Sequence, residues 1–174
     1  TPCLAGLFSG KQNQSTCDLC APGKFTPDRG NTACRDCKTG FLCVEGSSAP
    51  QPCPGGTHAN QTVLATVGFL GSIDECVICP TGTFCSVGSA EPSDCGPGTF
   101  NDQLNASTCV SCAAGSFQAL SKQTACDGCP EGYFCAKGSA SPLPCPGGTH
   151  TNVSLSVMIS ATDCIACVPG KACP

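Results

Sequence analysis

Residues 95–129 read CGPGTFNDQLNASTCVSCAAGSFQALSKQTACDGC, and the spacing of their cysteines is the strongest indication of the fold. The same spacing occurs 92 residues earlier, and in both places it continues beyond this stretch. A fixed period in cysteine positions indicates tandem repeats. We therefore predict two copies, residues 1–94 and 95–174. The matched cysteines are Cys3, Cys17, Cys20, Cys34, Cys37, Cys43 and Cys53 with Cys95, Cys109, Cys112, Cys126, Cys129, Cys135 and Cys145, and, after a loop four residues shorter in the second copy, Cys76, Cys79 and Cys85 with Cys164, Cys167 and Cys173.

The composition predicts a disulfide scaffold with a thin core. Twenty of the 174 residues are cysteine, above the roughly 8–10% that marks such scaffolds. The chain has 21 Gly and 15 Pro, which oppose long helices and strands, but only one Tyr and no Trp. A chain of this kind needs covalent crosslinks to be ordered. We predict a small disulfide-rich fold, an elongated tandem-repeat rod of short β-hairpins and turns with little or no helix.

Cysteine usage and charge indicate an extracellular or cell-surface chain. Disulfides persist in oxidising compartments, and no apolar run is long enough to cross a bilayer, so no membrane insertion is expected within these residues. The net charge is −4, and the eight basic residues are scattered, which argues against nucleic acid as a partner. The pattern is still running at Cys173, so the chain is expected to be a piece of a longer array.

A smaller unit recurs inside each copy: Cys-x-x-Gly-x, then an aromatic residue, as in Cys20-Gly23-Phe25. Glycine reaches the positive φ angle that such a turn requires, and the ring can pack on its own disulfide and on the next module. His58 and His150 stand in the ring position, so packing is their expected role. The modules are predicted to begin at Cys3, Cys20, Cys37, Cys53, Cys79, Cys95, Cys112, Cys129, Cys145 and Cys167.

The disulfide pairing has a simplest solution and an open alternative. Because the two cysteines of a structural Cys-x-x-Cys rarely bridge each other, Cys17 and Cys20 are assigned to successive modules. In the short modules a 43–53 bridge with a 37–76 bridge also fits, because sequence does not fix connectivity. The simplest, consecutive pairing is Cys3–Cys17, Cys20–Cys34, Cys37–Cys43, Cys53–Cys76, Cys79–Cys85, Cys95–Cys109, Cys112–Cys126, Cys129–Cys135, Cys145–Cys164 and Cys167–Cys173.

Four asparagines begin N-glycosylation sequons: Asn13, Asn60, Asn105 and Asn152. Asn13 pairs with Asn105, and Asn60 with Asn152, at the repeat distance of 92. Acceptors at equivalent places in both copies predict exposed loops that carry N-linked glycans.

The loops after Asn60 and Asn152 are the main apolar stretches of the chain. Alternating apolar residues, from Val153 to Ile159 in the second loop, predict a short strand. Each loop either folds back on its own module or contacts neighbouring copies or other fibre subunits, since an uncovered apolar patch marks an interaction site. The candidate contact residues are Val63, Leu64, Val67, Phe69, Leu70, Ile73, Leu155, Val157, Met158 and Ile159.

Metal and catalytic sites are not predicted. The spacing Cys17-x2-Cys20-x13-Cys34-x2-Cys37 would suit zinc, but similar spacings run along the whole chain, together with sequons and an extracellular composition. A redox Cys-x-x-Cys needs a βαβ context that is missing here. Asp74 and Glu75 are adjacent, but the second copy has only Asp163 there. We expect no enzyme activity and no cofactor.

The string Cys129-Pro-Glu-Gly-Tyr-Phe-Cys135, followed by Gly138-Ser139 and by CPGGT at residues 145–149, resembles the ephrin-receptor-like cysteine-rich repeats of the growth-factor-receptor group. The resemblance covers essentially the whole chain. The chain is most similar to the tandem arrays in algal and protist surface glycoproteins, including mastigoneme-type fibres. It implies an elongated shaft or spacer. No Cys-x2-Cys-x2-Cys triplet occurs, so the ligand binding of tumour-necrosis-factor receptors is not carried over.

Two functions fit these features. The first is a structural segment of an extracellular glycoprotein fibre or cell-surface shaft, stiffened by about ten disulfides and coated with N-glycans. The alternative is a receptor ectodomain stalk or adhesion module that binds a protein or glycan ligand.

Overall fold

The computed structural model describes residues 1–11, 15–39 and 41–170, and these residues form short hairpins. The strands form separate two-stranded sheets of consecutive strands: β1 with β2, β3 with β4, and so on to β17 with β18. Antiparallel pairs include Leu7 opposite Leu19. The strands are Leu7–Phe8 (β1), Asp18–Leu19 (β2), Lys24–Phe25 (β3), Arg35–Asp36 (β4), Phe41–Leu42 (β5), Gln51–Pro52 (β6), Thr57–Ala59 (β7), Cys76–Ile78 (β8), Thr83–Phe84 (β9), Ser93–Asp94 (β10), Thr99–Phe100 (β11), Val110–Ser111 (β12), Ser116–Phe117 (β13), Asp127–Gly128 (β14), Tyr133–Phe134 (β15), Leu143–Pro144 (β16), Thr149–His150 (β17) and Ile165–Ala166 (β18).

Helical structure is confined to three short segments of the described residues. They are an α-helix, Gln61–Thr66 (α1), and two 3₁₀ turns, Ile73–Glu75 and Ala161–Asp163. The predicted disulfide-rich fold of hairpins and turns with little helix is confirmed, and the elongated shape stays a prediction.

Among the described residues, nine disulfides close the hairpins, and each joins a cysteine to the next one along the chain. Their Cα–Cα distances lie between 5.7 and 6.1 Å, within the usual range for cystine. The tenth predicted bridge, Cys167–Cys173, involves a residue outside the described part of the chain. The nine are Cys3–Cys17, Cys20–Cys34, Cys37–Cys43, Cys53–Cys76, Cys79–Cys85, Cys95–Cys109, Cys112–Cys126, Cys129–Cys135 and Cys145–Cys164.

The recurring Cys-x-x-Gly segment forms a tight turn. At Pro146–Thr149 the Thr149 N–H donates to the Pro146 carbonyl at 3.0 Å, and Gly148 has φ 82°. This is the geometry of a type II turn, which favours glycine at its third position. The glycine N–H of such a turn can then bond to the following module: Gly98 donates to the Gln118 carbonyl at 2.7 Å, while Lys122 donates back to the Cys95 carbonyl at 2.8 Å.

The same glycines allow close backbone approach between modules that are two apart. A Cβ on Gly6 would overlap the carbonyl oxygen of Gly46, and a Cβ on Gly98 would overlap that of Gly138. Any side chain at these positions therefore meets both a left-handed backbone and an occupied space.

The chain forms two compact units. The first contains Thr1–Cys79, Cys85–Ser93 and Leu104–Thr108, and the second contains Pro80–Phe84, Asp94–Gln103 and Cys109–Pro174. In the first unit a small apolar core consists of Leu42, Cys53, Ala59 and Leu70. In the second unit the buried side chains include Cys95, Cys112, Cys135, Met158 and the polar Asn101 and Gln118. The copy boundary at residues 94 and 95 stays a prediction.

Replacing Gly98 by alanine is expected to loosen the contacts of its module. The left-handed φ of 80° costs an L-residue about 1–2 kcal/mol, and the overlap with the Gly138 carbonyl adds to this cost. Amide hydrogen exchange of Gly138 and Cys112 should accelerate in the full chain, because these amides donate across the same region.

Gly96→Ala is the matched control, because a Cβ on Gly96 meets nothing within 4 Å and its φ is not positive. Equal protection of these amides in the two variants would contradict the role assigned to Gly98.

Candidate functional site

The two apolar loops, residues 60–75 (the first loop) and 152–163 (the second loop), are the candidate site. Each lies within a disulfide that brings its ends together, Cys53–Cys76 and Cys145–Cys164, both with a Cα–Cα distance of 5.8 Å. The loops differ in length by four residues. The structure therefore offers an internal comparison of one loop built in two ways.

The first loop begins with a capped helix rather than a strand. The Asn60 side-chain oxygen accepts from the Thr62 and Val63 N–H groups at 3.0 and 3.3 Å, so Asn60 is the N-cap of α1. Val63 and Leu64, on this helix, pack against the core of Leu42, Cys53, Ala59 and Leu70. These two residues therefore cover their own module.

The second loop has no α-helix and no strand, so the strand predicted from the alternation at 153–159 is wrong. Its ordered β contact is a single bridge from Met158 to Phe134. The alternating residues Val153, Leu155 and Ile159 are exposed, and Met158, out of phase with them, is buried at 6% exposure. The alternation thus marks the outer side of a turn.

Leu70 and Met158 have the same structural role in the two units. Leu70 pairs with Leu42, as Met158 pairs with Phe134. The Leu70 carbonyl accepts from the Cys43 N–H at 3.0 Å, and the Met158 carbonyl accepts from the Cys135 N–H at 3.1 Å. Both side chains are buried, so their assignment as contact residues for another chain is corrected: they pack inside their own units.

Phe69 and Val157 also face inward in part. The ring of Phe69 occupies the space where a Cβ on Gly23 would lie, and Val157 does the same at Gly115. In each unit, a side chain of the apolar loop therefore packs against the glycine of a Cys-x-x-Gly turn.

Five candidate contact residues keep large exposed surfaces. The first loop exposes Val67 and Ile73, and the second exposes Leu155, Val157 and Ile159. In each unit these side chains are apolar surface that another molecule can reach.

Both loops end in a capping box. The Glu75 carboxylate accepts from the Gly71 and Ser72 N–H groups at 2.6 and 3.2 Å, and Ser72 caps the 3₁₀ turn that follows. Asp163 and Ser160 repeat this arrangement, with the Asp163 carboxylate accepting from the Ile159 and Ser160 N–H groups. These carboxylates stabilise the loop ends.

Three predicted glycosylation sites lie in the described residues. Asn105 is exposed and left-handed, with φ 63°, a conformation that asparagine tolerates better than most residues. The oxygens of the Asn60 and Asn152 side chains accept local backbone hydrogen bonds. A glycan attaches to the nitrogen of the amide, so both bonds are compatible with occupancy. Asn13 lies outside the described residues.

The histidines in the ring position bond to backbone. The Nδ1 atoms of His58 and His150 lie 2.9 Å from the carbonyl oxygens of Ala59 and Thr151. Within residues 1–11, 15–39 and 41–170, no group of three or more His, Cys, Asp or Glu is arranged to hold a metal ion. The same residues include no helix that is long and apolar enough to span a bilayer.

Sequence reasoning missed the cap at Asn60, the capping boxes and the exposed ring of Tyr133. The Ser72-x-x-Glu75 pattern is a readable capping signal. Val63, Leu64 and Val67 stand at helical spacing after a capping asparagine, which could have indicated α1. No sequence signal marked Tyr133 apart from its place in the repeat.

Residues 98–141 match a family model described as tyrosine-protein kinase ephrin type A/B receptor-like. The predicted resemblance to ephrin-receptor-like repeats is confirmed over this stretch. A comparison with curated proteins finds no match. The module type is a non-catalytic extracellular one. With the disulfides, it indicates an extracellular structural or receptor-type segment that is secreted or at the cell surface.

Leu70→Ala is expected to open the first loop, because it removes a fully buried side chain from the small core. The cost should be about 2–5 kcal/mol. The exchange rate of the Cys43 amide, which donates to Leu70, measures this opening. Val67→Ala, at a position 54% exposed, is the control and should cost less than about 1 kcal/mol. Equal effects would refute the inward role of Leu70.

Proposed function

We propose that this chain is a structural segment of an extracellular glycoprotein fibre or cell-surface shaft. Disulfides close each module, backbone hydrogen bonds join it to its neighbours, and N-linked glycans coat the exposed loops. Neighbouring copies or other fibre subunits contact the exposed apolar residues of the two loops.

The recurring contact between successive modules carries this proposal. The Gly6 N–H donates to the Thr26 carbonyl at 2.9 Å, and the Gly30 N–H donates back to the Cys3 carbonyl at 2.8 Å. The same exchange recurs 92 residues later between the modules of Cys95 and Cys112. Contacts that repeat between neighbours suit a protein whose length grows by adding modules.

The exposed part of the two loops supports lateral contact. Val67, Ile73 and Ile159 are each about half exposed. Apolar surface of this kind favours association with another protein surface. The low net charge of −4 opposes such association only weakly.

A receptor stalk or adhesion module is the second candidate. It is favoured by one observation, the match of residues 98–141 to a module named after ephrin-type receptors. In that function the exposed loops would bind a protein or glycan ligand of another kind, and the chain would not associate with itself.

The triple variant Val67→Asp, Ile73→Asp, Ile159→Asp is expected to lose self-association. Each carboxylate would have to be buried without a partner in the contact, which should weaken association about tenfold or more. Sedimentation velocity of the secreted, glycosylated chain over a range of concentrations measures the effect.

The control variant Val87→Asp, Leu120→Asp, Val168→Asp adds the same charge at exposed positions outside the loops. It should associate like the wild type. Self-association that survives in the loop variant, or that is lost equally in the control, would overturn the loop contact. A wild-type chain that stays monomeric at every concentration would favour the receptor alternative.

A further inference from the structure

The second unit contains a cleft of about 410 Å³ beside the Asn152 sequon. Its lining includes Glu131, Tyr133, Thr151, Asn152, Leu155 and Met158. We infer that the first sugar of the N-glycan on Asn152 occupies this cleft, packs on the ring of Tyr133 and so completes the second unit. This inference rests on the glycosylation included in the proposed function.

The first unit has a longer loop that is built differently. Leu70 follows Asn60 by ten positions, whereas Met158 follows Asn152 by only six. In the longer loop the helical Val63 and Leu64 pack on the core around Leu70. The shorter loop has no α-helix, and the cleft lies beside Met158, the counterpart of Leu70.

Asn152 is held at the edge of this cleft. Its backbone N–H donates to the Met158 sulfur at 3.4 Å, and its side-chain oxygen accepts from the Ser154 N–H at 3.0 Å. These bonds fix the amide, and the glycan grows from the nitrogen of the same amide. The first sugar therefore begins within the cleft lining and loses little additional freedom on entering it.

The chemistry of the lining suits a sugar. An N-acetylhexosamine has hydroxyl and amide groups at its edge and C–H groups on its faces. Tyr133 offers a ring face and a hydroxyl, and it is 42% exposed. Met158 and Leu155 add apolar surface, while Glu131 and Thr151 add hydrogen-bonding groups. A volume of about 410 Å³ is also within the range of sites that hold small molecules, about 300–1,000 Å³.

The experiment uses Tyr133 as its own reporter. It is the one tyrosine of a chain without tryptophan, so tyrosine fluorescence comes from the cleft alone. The full chain is secreted from a eukaryotic host, site occupancy is measured by peptide mass spectrometry, and acrylamide quenching of the fluorescence measures exposure. If the sugar covers one of the two ring faces, its loss should raise the quenching constant about twofold.

Ser154→Ala removes the sequon and leaves Asn152 in place, so it should show this twofold rise. Ser154→Thr keeps the sequon and should quench like the wild type. Trimming the glycan to its first sugar should also leave quenching unchanged. Thr62→Ala and Ser107→Ala remove the sequons at Asn60 and Asn105, and neither should alter Tyr133.

Equal quenching of Ser154→Ala and an occupied wild type would overturn the inference. Protection of Tyr133 that rises with protein concentration would also overturn it, because a protein segment would then fill the cleft. An empty Asn152 beside occupied Asn60 and Asn105 refutes this inference and leaves the proposed function standing. Empty sequons at all three sites would instead contradict the glycoprotein proposal itself.

Discussion

At Gly6 and Gly98, the backbone of one module approaches the backbone of a module further along the chain so closely that no Cβ fits between them. The turn that holds each glycine needs a positive φ, and this conformation directs its N–H to the next module. A single residue type thus satisfies the turn, the hydrogen bond and the close approach. The disulfide that starts at the cysteine three residues earlier keeps the turn in place.

Crosslinks do in this chain what a hydrophobic core does in others. Among the described residues of the first unit, the apolar core cluster has four buried members, and its two large side chains are Leu42 and Leu70. A crosslink that closes about 15 residues contributes roughly 3 kcal/mol in the chain-entropy model, and several described bridges have a sequence separation of 14. Within the described residues, each bridged module is therefore closed by its own disulfide, and its neighbours supply backbone partners and side-chain contacts.

The parts of the fold that sequence could predict are those set by the repeat of cysteines and glycines. Disulfide closure of a module and a positive φ in its turn both depend on residues that are close in sequence. The hairpins, the scarcity of helix and the resemblance across residues 98–141 all follow from that repeat. Position within the apolar loops was harder to predict. The alternation at 153–159 predicts a strand, but Met158, the residue that breaks it, is the buried one. The burial of Met158 accompanies the hydrogen bond from the Cys135 N–H to its carbonyl. This is a contact between modules, and no local sequence pattern indicates it.

The two loops occupy the same place in the repeat but differ in length by four residues. The longer loop contains a capped helix, and the shorter loop borders an open cleft. Both depend on Cys53–Cys76 and Cys145–Cys164, and these depend on each module closing on itself. Mapping of crosslinked peptides from the unreduced chain tests this directly. We expect Cys37 linked to Cys43 and Cys53 linked to Cys76. Peptides that join Cys37 to Cys76 and Cys43 to Cys53, or free thiols that hold metal, would contradict the account.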